Sequence, residues 1–284
     1  MTDAPTTTTL PTTAFLGVGS MAGAILNGLL TPSVTVQGGI RVTNRRAEKA
    51  ARFAAVDGVT AFATETEPDA NRRAVAGAGL VVVAVKPAQL PELLAEIAPA
   101  LTPGAVVVSV AAGVTIATME AAVPASVAVV RAMPNTPAQI GRGVTGVSAG
   151  TRATAAELAL ARSLFETVGT VVEVPEPQLD ELTSISGSGP AYVFLLIEEL
   201  TKTAVRKGFT AQQAKLLVEQ TFLGASELLA ATGEDPAELR RRVTSPKGTT
   251  ERAVEVLQSA ALSELFDRAT DAAVARAKEL AAGG

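Results

Sequence analysis

Cysteine and histidine are both absent from this chain of 284 residues. Their absence excludes disulfides, thiolate nucleophiles, Cys/His zinc sites, histidine general bases and Ser-His-Asp triads, so no metal site is predicted. Any catalysis must therefore use carboxylates, lysines, hydroxyls, backbone amides or a bound cofactor. Tyr192 is the single tyrosine. It could donate a proton, but a packing role is the favoured interpretation.

Charge and long apolar runs are scarce as well. Charged residues make up 18% of the chain and the formal net charge is -4, which gives no electrostatic reason to expect nucleic acid or an anionic membrane as a partner. No apolar run approaches the roughly 20 residues that span a bilayer. Residues 1–13 are rich in Thr and Pro and lack the basic and apolar regions of a signal peptide. They are predicted to be a disordered tail, and we expect a cytoplasmic protein.

Short apolar strands alternate with helical stretches through the first part of the chain. Strands that are apolar throughout indicate a parallel sheet buried on both faces. Their alternation with helices predicts a Rossmann domain, doubly wound with a mainly parallel sheet, over residues 14–175. The predicted strands are Ala14–Val18, Ile40–Thr43, Leu80–Val85, Ala105–Val110, Val127–Arg131 and Thr170–Val174, and the predicted helices are Ser20–Leu30, Arg46–Val56, Leu90–Leu101, Thr115–Ala122 and Ala155–Val168.

Strand patterns stop after Pro175, and residues 176–284 are predicted to form an all-α domain. Thr210 and Gln213 form a capping-box pattern at the start of a helix that is apolar around most of its circumference. Such a helix must be buried, and a second copy of the chain is the simplest cover, so this domain is expected to mediate dimerisation. The predicted helices are Pro190–Lys207, Thr210–Ala231, Pro236–Val243, Thr250–Leu257 and Leu262–Ala281.

A G-x-G-x-x-A turn, Gly17-Val18-Gly19-Ser20-Met21-Ala22, joins the first predicted strand of this domain to its helix. The first Gly allows the tight turn, the second lets backbone approach a pyrophosphate, and the small Ala22 lets the helix pack on the sheet. Asn44-Arg45-Arg46 ends the second strand, where an acid would favour NAD(H) and an Arg favours the 2′-phosphate of NADP(H). NADP(H) is therefore preferred, with NAD(H) as the alternative; a solvated loop is the structural alternative.

Two further segments follow predicted strands and two loops lie in the helical half. Val85-Lys86-Pro87 and Ala111-Ala112-Gly113 come at strand ends, where ligands bind in open α/β sheets. Ser188 could cap a helix whose first residue is Pro190. In Ser245–Glu251, the amides of Thr249 and Thr250 at a helix N-terminus could hold a carboxylate. The alternative for this last loop is that it only caps its helix.

In this order, the motifs resemble those of the pyrroline-5-carboxylate reductase family, over essentially the whole chain after the tail. The resemblance rests on six runs: Phe15–Met21, Ala84–Pro87, Ser109–Thr115, Arg131–Pro137, Ser186–Tyr192 and Ser245–Thr250. The Ala-Met-Pro-Asn-Thr-Pro and Ser-Gly-Ser-Gly-Pro-Ala-Tyr strings are specific, whereas the glycine turn is not. The chain departs from the family pattern at Lys247, where a second Gly is common. Its side chain could lie in solvent or add a cation near a substrate carboxylate.

The resemblance implies an enzyme that passes hydride from NAD(P)H to the C=N carbon of 1-pyrroline-5-carboxylate and makes L-proline, the last step of proline biosynthesis. It implies a helical domain that dimerises, builds the substrate site between subunits and often assembles into rings of dimers. By similarity, Thr249 and Thr250 hold the substrate carboxylate and ring nitrogen, Thr250 as the catalytic group, with Glu176 nearby. The residues implied to line the cofactor are Gly17, Val18, Gly19, Ser20, Met21, Ala22, Asn44, Arg45, Ala84, Val85, Lys86, Pro87, Ala111, Ala112 and Gly113.

Two alternatives remain open at this point. A β-hydroxyacid or 6-phosphogluconate-type dehydrogenase has the same layout and needs a catalytic lysine early in the helical domain, where Lys202 lies. An NADP-binding redox sensor would do no chemistry and would signal through its dimer surface. The lack of His and Cys suits the reductase, because a protonated imine is already electrophilic and needs no histidine acid.

Overall fold

A computed structural model describes residues 7–281. The chain divides into two compact units, one made of the residues up to Gly187 with those from Ala273 onward, and the other of Ser188–Ala272. No helix in the described part of the chain is both long and apolar enough to cross a membrane.

The strands of the first unit are β1 Thr8–Leu10, β2 Thr13–Leu16, β3 Val34–Val36, β4 Ile40–Asn44, β5 Val59–Ala63, β6 Leu80–Val83, β7 Val106–Ser109, β8 Ala128–Met133, β9 Gly143–Ala149 and β10 Gly169–Glu173. Eight of them form one sheet with the order β10-β9-β8-β7-β6-β2-β4-β5. Neighbouring strands in this sheet are parallel except β8 and β9, which pair antiparallel. A separate pair, β1 and β3, is also parallel.

Helices cover both faces of this sheet, because its central strands are apolar on both sides. Phe15, Val42 and Val82 belong to one core cluster, whereas Leu16 and Val83 belong to the other. This arrangement confirms the predicted doubly wound, mainly parallel fold. The helices of this unit are α1 Ser20–Leu29, α2 Ala47–Ala51, α3 Ala70–Val75, α4 Leu90–Ile97, α5 Ile116–Ala122, α6 Ala155–Glu166 and α7 Leu179–Leu182.

The second unit is helical, as predicted. Thr210 and Gln213 form the expected capping box at the start of its longest helix. That helix buries Ala214 and Val218, while most of its large apolar side chains stay exposed in the single chain. The helices of this unit are α8 Gly189–Arg206, α9 Ala211–Thr232 (the capped one), α10 Pro236–Arg242, α11 Thr249–Ser259 and α12 Leu262–Ala281, whose last residues are counted with the first unit.

The prediction of a disordered tail over residues 1–13 is wrong from Thr8 onward. Thr8–Leu10 pair with Val34–Val36, and Leu10 is 1% exposed, so backbone pairing and an apolar anchor hold this segment. Residues 1–6 lie outside the described residues. The expected Ser188 cap is also wrong, since Ser188 has helical backbone angles and makes no capping bond. The chain is already helical at Thr183–Gly187, so α8 has no free end to cap there.

The predicted domain boundary and the division by contacts differ in where they place Glu176–Gly187. These residues lie with the first unit. Leu182 of α7 packs so closely on β9 that a side chain at Gly146 would come within 2.5 Å of its Cδ1. The boundary between the two compact units therefore follows Gly187. A substrate-binding and dimerisation domain that begins at residue 176 stays a prediction.

Candidate functional site

The glycine turn lies where the order of the sheet reverses. β2 pairs with β4 on one side and with β6 on the other, and a ligand crevice is expected at this switch point. Gly17 has a φ of +83°, and a Cβ there would come 2.8 Å from Val85 Cγ1 and 3.1 Å from the Ala84 carbonyl oxygen. Its amide donates to the Thr43 carbonyl at 3.1 Å. Only glycine combines this backbone conformation with this close approach.

The start of α1 presents free backbone donors beside this turn. Gly19 occupies the N-cap position without a side-chain capping bond, and a Cβ there would meet nothing within 4 Å. Ala22 is fully buried against the sheet, which brings the helix close. Open amides at a helix N-terminus bind phosphate. The turn therefore fits the pyrophosphate of a dinucleotide.

A cleft of about 550 Å³ extends from this turn along the carboxyl ends of the strands. Of the predicted cofactor residues, eight line it: Gly17, Val18, Gly19, Asn44, Arg45, Ala84, Val85 and Lys86. Seven others are not among its lining residues: Ser20, Met21, Ala22, Pro87, Ala111, Ala112 and Gly113. The sequence reasoning missed eight that are: Thr43, Lys49, Thr64, Asn71, Gln89, Glu92, Leu93 and Glu96.

Most of the missed lining residues carry no local motif. Thr64 follows β5 and Asn71 lies on α3, and neither element was predicted. Asn71 Nδ2 donates to both carboxylate oxygens of Glu96, at 3.3 Å and 3.2 Å, which joins two sides of the cleft wall. Lys49 had a signal in the sequence, since it stands one helical turn after the Arg pair that was singled out.

Asn44 has a structural role that its motif did not reveal. Its Nδ2 donates to the Val18 carbonyl at 2.8 Å, and the residue is 9% exposed. This bond holds the glycine turn to the end of β4. Asn44 therefore shapes the cleft as well as lining it.

Asn135, in the Met-Pro-Asn-Thr-Pro string, links two separate segments. Its Oδ1 accepts from the Val144 amide at 2.8 Å, and its Nδ2 donates to the Ser186 carbonyl at 2.9 Å. The residue is 7% exposed. Ser186 lies in the π-helical turn Thr183–Gly187. Asn135 thus fixes the segment that leads into the Ser-Gly-Ser-Gly string, a role that the sequence did not predict.

Glu176, expected near the substrate, is held by groups of the first unit. Its Oε1 accepts from the Ile116 amide at 2.7 Å and from Arg131 Nη1 at 3.3 Å. Arg131, on β8, also pairs with Asp180 at 3.2 Å, and its side chain is 9% exposed. A buried guanidinium between two carboxylates satisfies its charge and fixes the chain after β10. The observed contacts of Glu176 are therefore positioning contacts.

The Ser245–Gly248 segment is a tight turn with an unusual third residue. The Gly248 amide donates to the Ser245 carbonyl at 3.0 Å, Pro246 is the second residue, and Lys247 is the third with a φ of +62°. Proline followed by a residue of positive φ is the type II pattern, which favours Gly at the third place. This explains physically why glycine suits the position. Lys247 is exposed, and its amide donates to Glu251 Oε2 at 2.8 Å.

Thr249 and Thr250 are the first two residues of α11, in the second unit. The N-cap is Gly248, which makes no side-chain capping bond. Thr250 is therefore the second residue of the helix and not its N-cap, whereas Gly248 of the same loop does occupy the N-cap position. Both amides remain at a helix N-terminus where a carboxylate can bind.

Tyr192 and Lys202 lie on α8. The Tyr192 and Phe266 rings pack at 6.4 Å between centroids, as the packing interpretation requires. Lys202 Nζ pairs with Glu198 at 2.6 Å and Glu199 at 2.8 Å. The hydrogen bonds to these two carboxylates raise the pKa of Lys202 above its usual value. These ion pairs join exposed side chains of one helix, as expected of an ordinary solvated face rather than of the catalytic lysine that the dehydrogenase alternative needs.

Two family models match the chain. One, described as pyrroline-5-carboxylate reductase dimerisation, matches residues 176–280. The other, described as NADP oxidoreductase, coenzyme F420-dependent, matches residues 12–113. Between them they cover the helical region and the half of the Rossmann domain that carries the cleft.

Individual relatives match over nearly the whole chain. Pyrroline-5-carboxylate reductase of Pseudomonas aeruginosa is 39% identical over 272 residues, which is 95% of this chain and 97% of the relative. The solved structure of a pyrroline-5-carboxylate reductase from Coxiella burnetii has a TM-score of 0.87 and 40% identity, and the match covers 94% of this chain and 97% of the other. A Plasmodium falciparum pyrroline carboxylate reductase solved with NADP bound has a TM-score of 0.78 at 24% identity, covering 95% and 98%.

The two hydrogen bonds of Asn135 predict that the variant Asn135→Asp becomes more stable to unfolding as the pH falls. Asn135→Asp keeps the acceptor for the Val144 amide but places a carboxylate oxygen against the Ser186 carbonyl. Burial and this carbonyl raise the pKa of the new Asp above its unfolded value, so the variant is destabilised at neutral pH, by about 1–3 kcal/mol, and regains stability as the pH falls. Thermal unfolding across pH measures this. Asn135→Ala is the control, and identical pH profiles for the two variants would contradict the proposed contact.

The positive φ of Lys247 predicts the relative stability of two variants. Lys247→Ala keeps a β-carbon in the left-handed region, whereas Lys247→Gly removes it. We expect the Gly variant to be more stable than the Ala variant by about 1 kcal/mol, measured by thermal or urea unfolding. An Ala variant as stable as the Gly variant would show that this turn is not strained.

Proposed function

The chain belongs to the pyrroline-5-carboxylate reductase family, and on this basis we propose that its cleft prefers NADP(H) and that the Ser245–Thr250 loop binds the substrate. The enzyme is an NAD(P)H-dependent oxidoreductase that reduces 1-pyrroline-5-carboxylate to L-proline. The substrate has a carboxylate and a cyclic C=N bond. A nicotinamide nucleotide, when bound, would supply the hydride for the imine carbon. The ring nitrogen carries the proton, so the product is a cyclic secondary amine.

The cofactor proposal rests on the cleft at the carboxyl edge of the sheet. Gly17–Gly19 and the start of α1 would hold the pyrophosphate, and Arg45 would meet the 2′-phosphate of NADP(H). NAD(H) remains the alternative cofactor. Ala84–Pro87 and Ala111–Gly113, which follow adjacent strands, would flank the remainder of the dinucleotide.

The substrate proposal rests on the free N-terminus of α11. The amides of Thr249 and Thr250 would bind the substrate carboxylate, and the Thr250 hydroxyl would bond the ring nitrogen. A carboxylate at this end of the helix is favoured by the helix dipole and needs no arginine. Glu176 would act near the substrate mainly through the contacts that fix its own segment.

In this proposal, the protein groups orient the substrate and the cofactor and do not act as acid or base catalysts. Orientation of two reacting rings and exclusion of water can supply much of the rate, because the cofactor carries the electrons. A protonated imine needs no further acid, which fits a chain without histidine. A hydroxyl bonded to the ring nitrogen would hold the imine in place until the amine forms.

Self-association accompanies this activity. The helical region matches the dimerisation model of the family, and α8 and α9 expose large apolar side chains such as Phe194 and Leu216, which are 65% and 62% accessible. Dimers are the simplest cover for such a face. A ring of dimers and a cytoplasmic location are further proposals.

The direct test of the proposed function is an assay of the purified enzyme with 1-pyrroline-5-carboxylate, in which oxidation of NADPH or of NADH is monitored by absorbance. We expect turnover with both and a higher kcat/KM with NADPH. Turnover with neither would contradict the reductase assignment and favour a redox sensor. A higher kcat/KM with NADH would contradict only the cofactor preference.

Thr250 variants test the substrate loop. Thr250→Ala removes the hydroxyl, and we expect kcat/KM for 1-pyrroline-5-carboxylate to fall about 10- to 100-fold while the Kd for NADPH stays within about twofold. Thr250→Ser keeps a hydroxyl and is the matched control, so it should retain most activity. If the Ala and Ser variants are equally active, Thr250 does not contact the ring nitrogen.

A further inference from the structure

Three cationic residues, Arg45, Arg46 and Lys49, follow the end of β4, and they differ in whether they line the cofactor cleft. Arg45 and Lys49 line the cofactor cleft, whereas Arg46 is not among its lining residues. All three are exposed. From the sequence, Arg45 and Arg46 form the natural pair for a phosphate because they are adjacent. In the folded chain, Arg45 and Lys49 are the two of these cations that line the cleft.

The backbone around these cations is fixed from a neighbouring segment. The Thr64 amide donates to the Asn44 carbonyl at 2.9 Å, and the Glu65 amide donates to the Arg45 carbonyl at 3.1 Å. The Ala47 amide, at the start of α2, donates to Glu65 Oε1 at 2.7 Å. A carboxylate therefore already occupies the first amide of this five-residue helix. An anion at this end of the cleft must be met by side chains.

These side chains are free to meet it. Within residues 7–281, Arg45, Arg46 and Lys49 form no ion pair, although Arg73 nearby pairs with Glu67 at 2.6 Å. Two unneutralised cations on one cleft wall repel each other unless an anion lies between them. A phosphate dianion suits this arrangement, because Arg binds it as a planar fork and Lys as a point charge.

We propose that Lys49 is the second cation of the 2′-phosphate site and shares the phosphate with Arg45, while Arg46 takes no part. This inference rests on the proposed preference for NADP(H). Lys49 is a specificity-determining residue, since its ammonium interacts with the group that distinguishes NADPH from NADH. The ribose hydroxyl of NADH offers it no charge to bind.

Single variants at the three positions test this assignment, with Arg46→Ala as the matched control and Lys49→Arg as the conservative variant. Kd values for NADPH and NADH are measured by calorimetry or by nucleotide fluorescence. We expect Arg45→Ala and Lys49→Ala each to raise the Kd for NADPH about tenfold or more and to leave the Kd for NADH within about twofold. Arg46→Ala should change neither, and Lys49→Arg should keep the preference for NADPH.

The outcomes separate this inference from the proposal beneath it. If Arg45→Ala weakens NADPH selectively but Lys49→Ala behaves like Arg46→Ala, the Lys49 assignment is overturned and the cofactor preference stands. If the unmodified enzyme binds NADPH no more tightly than NADH, the preference itself fails. Equal losses for both nucleotides in Lys49→Ala would also overturn the inference, because they would show a structural effect rather than phosphate recognition.

Discussion

The cofactor site depends on the close approach of Gly17 to the strand beside it. A β-carbon at this position would clash with Val85 and with the Ala84 carbonyl, and the φ of +83° would strain any other residue. Because the turn is this tight, α1 begins immediately after β2. Gly19, the N-cap residue of α1, and the residues at the ends of β4 and β6 then line one cleft. The bond from Asn44 to the Val18 carbonyl holds the turn from its other side.

This geometry explains how a chain without histidine or cysteine can carry out a reduction. Under the proposed binding mode, positioning would be distributed over backbone amides, a hydroxyl and cations rather than concentrated in an ionisable catalyst. Buried polar contacts keep the segments in place, notably Asn135 on Val144 and Ser186, and Arg131 on Glu176 and Asp180. Such contacts are costly to break singly, because each leaves a buried partner unsatisfied.

Much of the fold could be predicted because apolar runs such as Leu80–Val83 and Val106–Ser109 are central parallel strands. Strands without such apolar runs were not predicted. β9 contains Gly143, Gly146 and Ser148, so its sequence resembles a loop, and it forms because β8 and β10 pair with it on either side. Thr8–Leu10 was not predicted for a similar reason. Two threonines and a leucine carry no strand pattern of their own, and they form a strand because they pair with Val34–Val36.

The site shows the same limit at shorter range. The Gly17 turn and Arg45 are local patterns, and the structure places them on the cleft. Glu65, which bonds the Ala47 amide, comes from a segment beyond the next strand, so no window around the arginines could reveal it. Likewise, the predicted helix Arg46–Val56 did not distinguish Lys49 from Arg46, whereas in the structure α2 spans Ala47–Ala51 and only Lys49 of the two lines the cleft. The sequence showed that Lys247 stands where the family commonly has Gly. The physical reason, a positive φ in the Ser245–Gly248 turn, became apparent only in the structure.

The most direct test of this account is a crystal structure of the enzyme with NADPH bound. We expect the pyrophosphate over Gly17–Gly19 and the 2′-phosphate within about 4 Å of both the Arg45 guanidinium and Lys49 Nζ, with Arg46 directed elsewhere. A nucleotide whose 2′-phosphate points into solvent, or contacts Arg46 in place of Lys49, would contradict it.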